Sequence, residues 1–190
     1  MNTAGLLLAA GTGRRYGMPK ALVERDGHLL VEHALATLRD GGCDPLVVVL
    51  GAAEDEVRHR ADLTGATLVS NGGWSEGIGS SLRAGLAALA GTGVPAAVVL
   101  LVDTPGITAA AVRRVIVHSG RKALCVATYH GQPGHPVLLG RDHWAGAAAL
   151  AVGDVGARAY LAAHRTEVTE IDCADVADGT DVDHPPERGA

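Results

Sequence analysis

Apolar residues in this chain fall into short unbroken runs, separated by longer segments in which they recur every three or four positions. The runs are Leu6-Leu7-Leu8-Ala9-Ala10, Val47-Val48-Val49-Leu50, Ala66-Thr67-Leu68-Val69, Val98-Val99-Leu100-Leu101-Val102 and Leu124-Cys125-Val126-Ala127. Residues 30–39, 54–61, 78–90 and 108–118 each place apolar side chains on one helical face. Runs without polar alternation read as strands buried on both sides, and their alternation with helices predicts a mainly parallel sheet. The expected fold is therefore a doubly wound α/β domain with helices on both faces, spanning residues 1–190 as one unit. Right-handed crossovers gather the loops that follow the strands at one sheet edge. The alternation loosens over residues 129–137, where a lobe for a second substrate is expected. From about residue 175 the chain is acidic and contains proline, so part of 175–190 is expected to be mobile.

Three segments at that edge carry candidate chemistry. After the first run comes Gly11-Thr12-Gly13-Arg14-Arg15-Tyr16-Gly17-Met18-Pro19-Lys20. Its glycines let the backbone turn tightly and lie against a ligand, while free N–H groups and cations suit phosphate. A P-loop is excluded, because Met18 and Pro19 separate Gly17 from Lys20 and Ala21 follows the lysine. A dinucleotide loop fits poorly. Gly11, Gly13 and Gly17 are spaced one residue too wide, Pro19 opposes a continuing helix, and the first acid after the second strand is Glu54. The second segment, Asn71 to Leu86, places Gly77, Ser80 and Ser81 at a helix start. There free N–H groups hold an anion or a base edge, or Ser80 simply caps the helix while Gly85 packs closely. The third is Asp103-Thr104-Pro105, whose acid either ligates a metal or caps the next helix, a task better suited to Thr108.

The first segment with its strand resembles the signature loop of nucleotidyltransferases related to molybdenum-cofactor cytidylyltransferase, Leu-Ala-Ala-Gly-x-Ser-x-Arg-Met-Gly-x-Pro-Lys. Gly11, Arg15, Gly17, Pro19 and Lys20 match, with Gly13 in place of the serine and Tyr16 of the methionine. The second segment resembles Asn-Pro-x-Trp-x-x-Gly-Met-Ser-Ser-Ser-Leu-x-x-Gly-Leu of the same family, with Gly72, Ile78 and Gly79 departing from it. Gly134-His135-Pro136-Val137-Leu138 and Gly153-Asp154-Val155-Gly156-Ala157-Arg158 resemble two further family segments. Asp181-Val182-Asp183-His184-Pro185-Pro186-Glu187 is similar to the family's Asp-Ile-Asp-Thr-Pro-Glu-Asp close.

The resemblance implies a Rossmann-like nucleotidyltransferase fold and transfer of a nucleoside monophosphate from a nucleoside triphosphate, with CTP as donor, to a phosphorylated acceptor. It implies that Arg15 and Lys20 bind the triphosphate and that Asp103 holds Mg²⁺. Ala9, Ala10, Gly11, Thr12, Gly13, Asn71, Gly77, Ser80 and Ser81 complete the implied nucleotide site. His135, Asp154 and Arg158 fall on the implied acceptor side, His135 either touching the acceptor or positioning its loop. Asp154 also reads as an N-cap, and a helix N-terminus beside Arg158 suits an acceptor phosphate. Asp183 is either a second metal ligand or a solvated tail acid. A molybdopterin-type acceptor is implied, and a molybdoenzyme as partner. Another phosphorylated metabolite, an oxidoreductase of the nicotine blue type and a non-catalytic nucleotide-binding protein are the alternatives.

Composition narrows the classes further. A net charge of -5 without any basic run gives no support to nucleic-acid binding. Cys43, Cys125 and Cys173 are odd in number and far apart, which suggests neither zinc nor a disulfide scaffold. No apolar run approaches a membrane span, and the first is too short for a signal sequence, so the cytoplasm is the expected compartment. Phe is absent, and the core must be aliphatic.

Overall fold

The computed structural model describes residues 2–183. His184, Pro185, Pro186 and Glu187 of the closing segment, with the rest of the tail, lie outside the described residues. In chain order the strands are β1 (Thr3–Ala9), β2 (Glu24–Arg25), β3 (His28–Leu29), β4 (Cys43–Leu50), β5 (Ala66–Ser70), β6 (Ala96–Leu101), β7 (Leu124–Tyr129), β8 (Gln132–Gly140) and β9 (Thr169–Asp172). The helices are α1 (Leu30–Asp40), α2 (Glu54–Arg60), α3 (Ile78–Leu89), α4 (Ala109–Ile116), α5 (Trp144–Leu150) and α6 (Arg158–Ala163).

Seven strands form one sheet in the order β5-β4-β1-β6-β8-β7-β9, and β2 pairs with β3 apart from it. The register makes β8 antiparallel to both neighbours, while the other pairings in this sheet are parallel. The mainly parallel, doubly wound reading of the sequence therefore stands. Period-two alternation divides the strand side chains between two cores. Leu7, Val48 and Val98 face α1 and α4, whereas Leu6, Val49 and Val99 face α3 and α5. Gly85 lets α3 lie directly on β1, because a Cβ there would meet the Leu6 side chain.

Four sequence expectations change. The run at 66–69 was expected to be buried on both sides, yet β5 is an edge strand with a half-exposed pattern, having a neighbour only in β4. The irregular stretch 129–137 is a hairpin rather than a lobe: β7 turns at His130 and Gly131, both at positive φ, into the long strand β8. Ser80 lies inside α3 and is not its N-cap, a position held by Gly77. Asp154 does not cap α6, whose N-cap is Ala157 with no side-chain bond; it sits in the short turn Gly153–Val155 instead. Thr108 does cap α4, accepting from the Ala111 N–H at 3.3 Å.

The described part of the tail packs against the body. Thr108 donates its hydroxyl to the Val176 carbonyl at 2.9 Å, and the Asp178 N–H bonds to the Gly106 carbonyl at 3.0 Å. The Val182 N–H reaches the Asp103 carbonyl at 2.8 Å, so the chain ends its described course beside the carboxyl end of β6.

Candidate active site

Lys20 stands at the centre of a charge cluster drawn from three distant parts of the chain. Its ammonium donates to Asp103 Oδ2 and to Asp183 Oδ1, each at 2.8 Å. Arg15 Nη1 lies 3.4 Å from Asp183 Oδ2. Each group is held by its local fold. Lys20 opens the short 3₁₀ turn Lys20–Leu22, which is anchored by the buried side chains of Ala21 and Leu22. Asp103 follows β6, whose continuation is tied to β1 by the Val102 N–H to the Leu8 carbonyl at 3.2 Å. Burial pulls the Lys20 ammonium down, but hydrogen bonds and charges from Asp103 and Asp183 outweigh it and leave the group above its usual value.

Asp103 Oδ1 is buried and has no hydrogen-bond partner among the described residues. Buried carboxylate oxygens are rarely left so, because an unmet lone pair costs desolvation energy. With Asp183 across the same ammonium, this oxygen suits a divalent cation. Mg²⁺ commonly takes one or two protein carboxylates and keeps its remaining waters. Among the described residues no group of three or more His, Cys, Asp or Glu side chains could hold a metal by itself.

Asp181 joins the cluster from the tail. Burial and the charges of Asp103 and Asp183 push its carboxyl up, against Lys20 and Arg158. His135 lies on the same side. Its imidazole is pushed down to about 4 by burial, with Arg158 adding to the fall and Asp103 opposing it. The β7–β8 register explains its placement: Val126 pairs with Val137 and Ala127 with Gly134, which leaves His135 and Pro136 bulged out of the ladder. Tyr129 donates its hydroxyl to the His135 carbonyl at 2.6 Å.

A cleft of about 470 Å³ opens beside this cluster, between the loop after β1 and the start of α3. Ala10, Gly11, Thr12 and Gly13 line it together with Arg15 and Lys20. Gly77, Ser81, Asp103 and Asp183 form the facing parts. The loop itself is closed by the Gly17 N–H on the Gly13 carbonyl at 2.8 Å. Gly13 has φ +61°, and a Cβ there would fall on the Met18 carbonyl oxygen, so glycine rather than the family's serine suits this loop path.

Several implied residues support the cleft without lining it. Ala9 is buried in β1. Asn71 is buried and brackets the start of α3, donating to Ser80 Oγ at 2.8 Å and Ser81 Oγ at 3.0 Å while accepting from the Gly73 N–H at 3.0 Å. Ser80 donates its own hydroxyl to the Gly77 carbonyl at 2.8 Å. The expected acceptor residues divide. His135 and Arg158 stay within charge range of each other, but Asp154 lines the cleft at the α3 end, its Oδ1 2.5 Å from where a Gly77 Cβ would be.

Sequence reasoning assigned no role to two further residues. Trp74 lines the cleft and packs over Gly51, where a Cβ would sit 2.5 Å from Trp74 Cβ and 2.8 Å from Ala10 Cβ. Its place inside the second motif was the available signal. Asp181 carried no signal beyond lying within a quoted motif, whereas Arg14 was already one of the loop cations suited to phosphate.

Residues 5–168 match the model of the MobA-like NTP transferase domain. The chain belongs to that family. Within it, the chain is 39% identical over 187 residues to a nicotine blue oxidoreductase from Paenarthrobacter nicotinovorans, covering 94% of this chain and 91% of that protein. It is 32% identical over 149 residues to a molybdenum cofactor guanylyltransferase from Rhodobacter capsulatus, covering 77% and 68%. A solved structure of Rv0371c from Mycobacterium tuberculosis H37Rv, in complex with manganese, superposes with a TM-score of 0.75 at 28% identity, covering 91% of this chain and 89% of that one. This MobA-like chain has no helix among its described residues long and apolar enough to cross a membrane.

Proposed function

We propose that the protein moves a nucleoside monophosphate from a nucleoside triphosphate onto a phosphorylated acceptor and releases pyrophosphate. The observation that carries this reading is the Lys20 ammonium held between Asp103 and Asp183 at the end of the family's signature loop. Arg15 and Lys20 bind the triphosphate and neutralise the charge that gathers on the departing pyrophosphate. An oxygen of the acceptor phosphate attacks the α-phosphorus, and the bond from that phosphorus to the β-phosphate oxygen breaks. Because the acceptor phosphate is already ionised, the chain needs to supply position and charge rather than a strong base. Asp103 and Asp183 would hold Mg²⁺, which when bound neutralises phosphate charge; the manganese complex of the mycobacterial relative supports a divalent cation here.

CTP is the proposed donor. Ala10 is nearly buried against Gly51 and Trp74 on the cleft wall, so its methyl narrows the space for a purine. One methyl is worth about 1–3 kcal/mol, enough for preference but not exclusion. The Rhodobacter relative's name argues for GTP instead, and calorimetry with both triphosphates decides between them. Ala10→Gly should narrow any preference for CTP. The acceptor side, with His135 and Arg158, suits a phosphate monoester, and the same relative's name supports a molybdopterin-type acceptor over another phosphorylated metabolite.

A second reading rests on one observation, the 39% identity to a nicotine blue oxidoreductase. Against it, the loop after β1 leads into a 3₁₀ turn and the β2–β3 hairpin, and α1 begins only at Leu30. Among the described residues this loop does not itself run into an α-helix N-terminus, as dinucleotide binding of the Rossmann type requires. Pyrophosphate release with Mg²⁺, CTP and molybdopterin, run beside NADH and NADPH oxidation, separates the two. Nicotinamide oxidation without pyrophosphate release would overturn the transferase reading.

A further inference from the structure

Three cations line the cleft, and their states differ. Lys20 is tied to Asp103 and Asp183, and Arg15 is tied to Asp183. Arg14 is exposed, lines the same cleft, and makes no side-chain hydrogen bond or ion pair among the described residues. The turn closed between Gly13 and Gly17 presents Arg14 and Arg15 side by side on its outside. Arg14 also falls at a position that the family's signature loop leaves open, so it belongs to this chain's own chemistry rather than to the shared motif.

We infer that Arg14 binds the terminal phosphates of the donor, those that leave as pyrophosphate. The inference rests on the nucleotidyl-transfer reading and names a further residue for it. A guanidinium offers a fork of donors matched to phosphate oxygens and stays charged throughout the working pH range. For Lys20 or Arg15, contact with an incoming anion competes with Asp183. Arg14 gives up no such pair, so its contact with phosphate is offset only by the ordering of its own side chain and the loss of hydrating water. Lys20 is largely covered at the inner end of the cleft, with a side-chain exposure of 13%, and marks the side of the transferred phosphate together with Asp103. Arg14, on the rim, meets the part of the substrate that departs towards solvent.

The test is calorimetry with tripolyphosphate, pyrophosphate and CMP on the full chain, comparing wild type with Arg14→Gln and Arg14→Lys. Arg14→Gln should weaken tripolyphosphate and pyrophosphate by about tenfold, the scale of one hydrogen bond to a charged group. CMP, which lacks the terminal phosphates, should bind unchanged, and Arg14→Lys should recover part of the loss. In the transfer assay kcat/KM for the triphosphate should fall about tenfold or more. Equal binding of tripolyphosphate by wild type and Arg14→Gln would overturn the inference and leave the transferase reading intact. Equal weakening of CMP and tripolyphosphate would overturn it too, because the effect would then be a disturbed loop. If the wild type binds neither triphosphate nor tripolyphosphate, the transferase reading fails and this inference with it.

Discussion

Lys20 and Asp183 are 163 residues apart in sequence and 2.8 Å apart in space. The contact joins the loop after β1 to the end of the described chain, and the Val182 N–H on the Asp103 carbonyl holds the tail in reach. One ammonium thereby keeps two carboxylates together at the cleft, where their mutual repulsion would otherwise drive them apart. Asp183 is paired within the cluster, with 42% of its side chain still exposed.

Replacing that ammonium should damage turnover more than folding. Lys20→Ala is expected to lower kcat by roughly 10²–10³-fold, the scale for losing one well-placed charge-stabilising donor. It should also leave Asp103 facing Asp183 with only the longer Arg15 contact to offset their charge, so added Mg²⁺ should raise the melting temperature of the variant more than that of the wild type. Wild-type turnover would remove Lys20 from the mechanism.

The two carboxylates should differ in weight. Asp103→Asn keeps the side-chain shape, with Lys20 still paired to Asp183, so the melting temperature should move by only a few degrees while most turnover is lost. Asp183→Asn should cost less, and truncation before Asp181 should cost more than that substitution, because it also removes Asp181 and the Val182 N–H bond to the Asp103 carbonyl. Mg²⁺ titration with CTP present, followed by calorimetry, reads the metal side directly. Normal metal binding and turnover in Asp103→Asn would make Asp103 a turn acid only.

His135 predicts an acid-side loss of stability. Its imidazole is held at about 4 in the fold against 6.5 when unperturbed, so between those values the unfolded chain binds the proton and the native state does not. Stability should be full above about pH 6.5 and fall as pH drops towards 4. His135→Gln should flatten that limb, leaving a smaller drop in melting temperature between pH 7.5 and 4.5 than the wild type shows. An unchanged drop would mean that other groups carry the acid limb.

Gly51 is a steric gate for the wall made by Ala10 and Trp74. A Cβ at this position would sit 2.5 Å from Trp74 Cβ, so Gly51→Ala must push the Trp74 turn aside. Overpacking of this kind costs about 1–3 kcal/mol, measurable by urea denaturation. KM for the triphosphate should rise with it, since the displaced wall lines the cleft. A variant with unaltered stability and KM would show that the wall yields without consequence.

The sequence by itself determined the strand-and-helix alternation and the glycine-rich loop after β1 that carries Arg15 and Lys20. Those features are local: an apolar run five residues long, or glycines and cations in a fixed order, constrain the backbone and its ligand wherever they are placed. It also marked Thr108 as the cap of α4, because a cap acts within one helical turn. The sheet's outer half was not legible in this way. The antiparallel strand β8 begins with polar and proline residues, and its pairing with β6 and β7 is non-local. Nor does sequence spacing tell that Asp154 turns to Gly77 while Arg158, four residues on, stands with His135. The Lys20–Asp103–Asp183 cluster likewise exists only once β1, β6 and the tail converge. Electrostatic attraction over 2.8 Å depends on where the folded backbone sets the charges, and that placement is a property of the whole sheet.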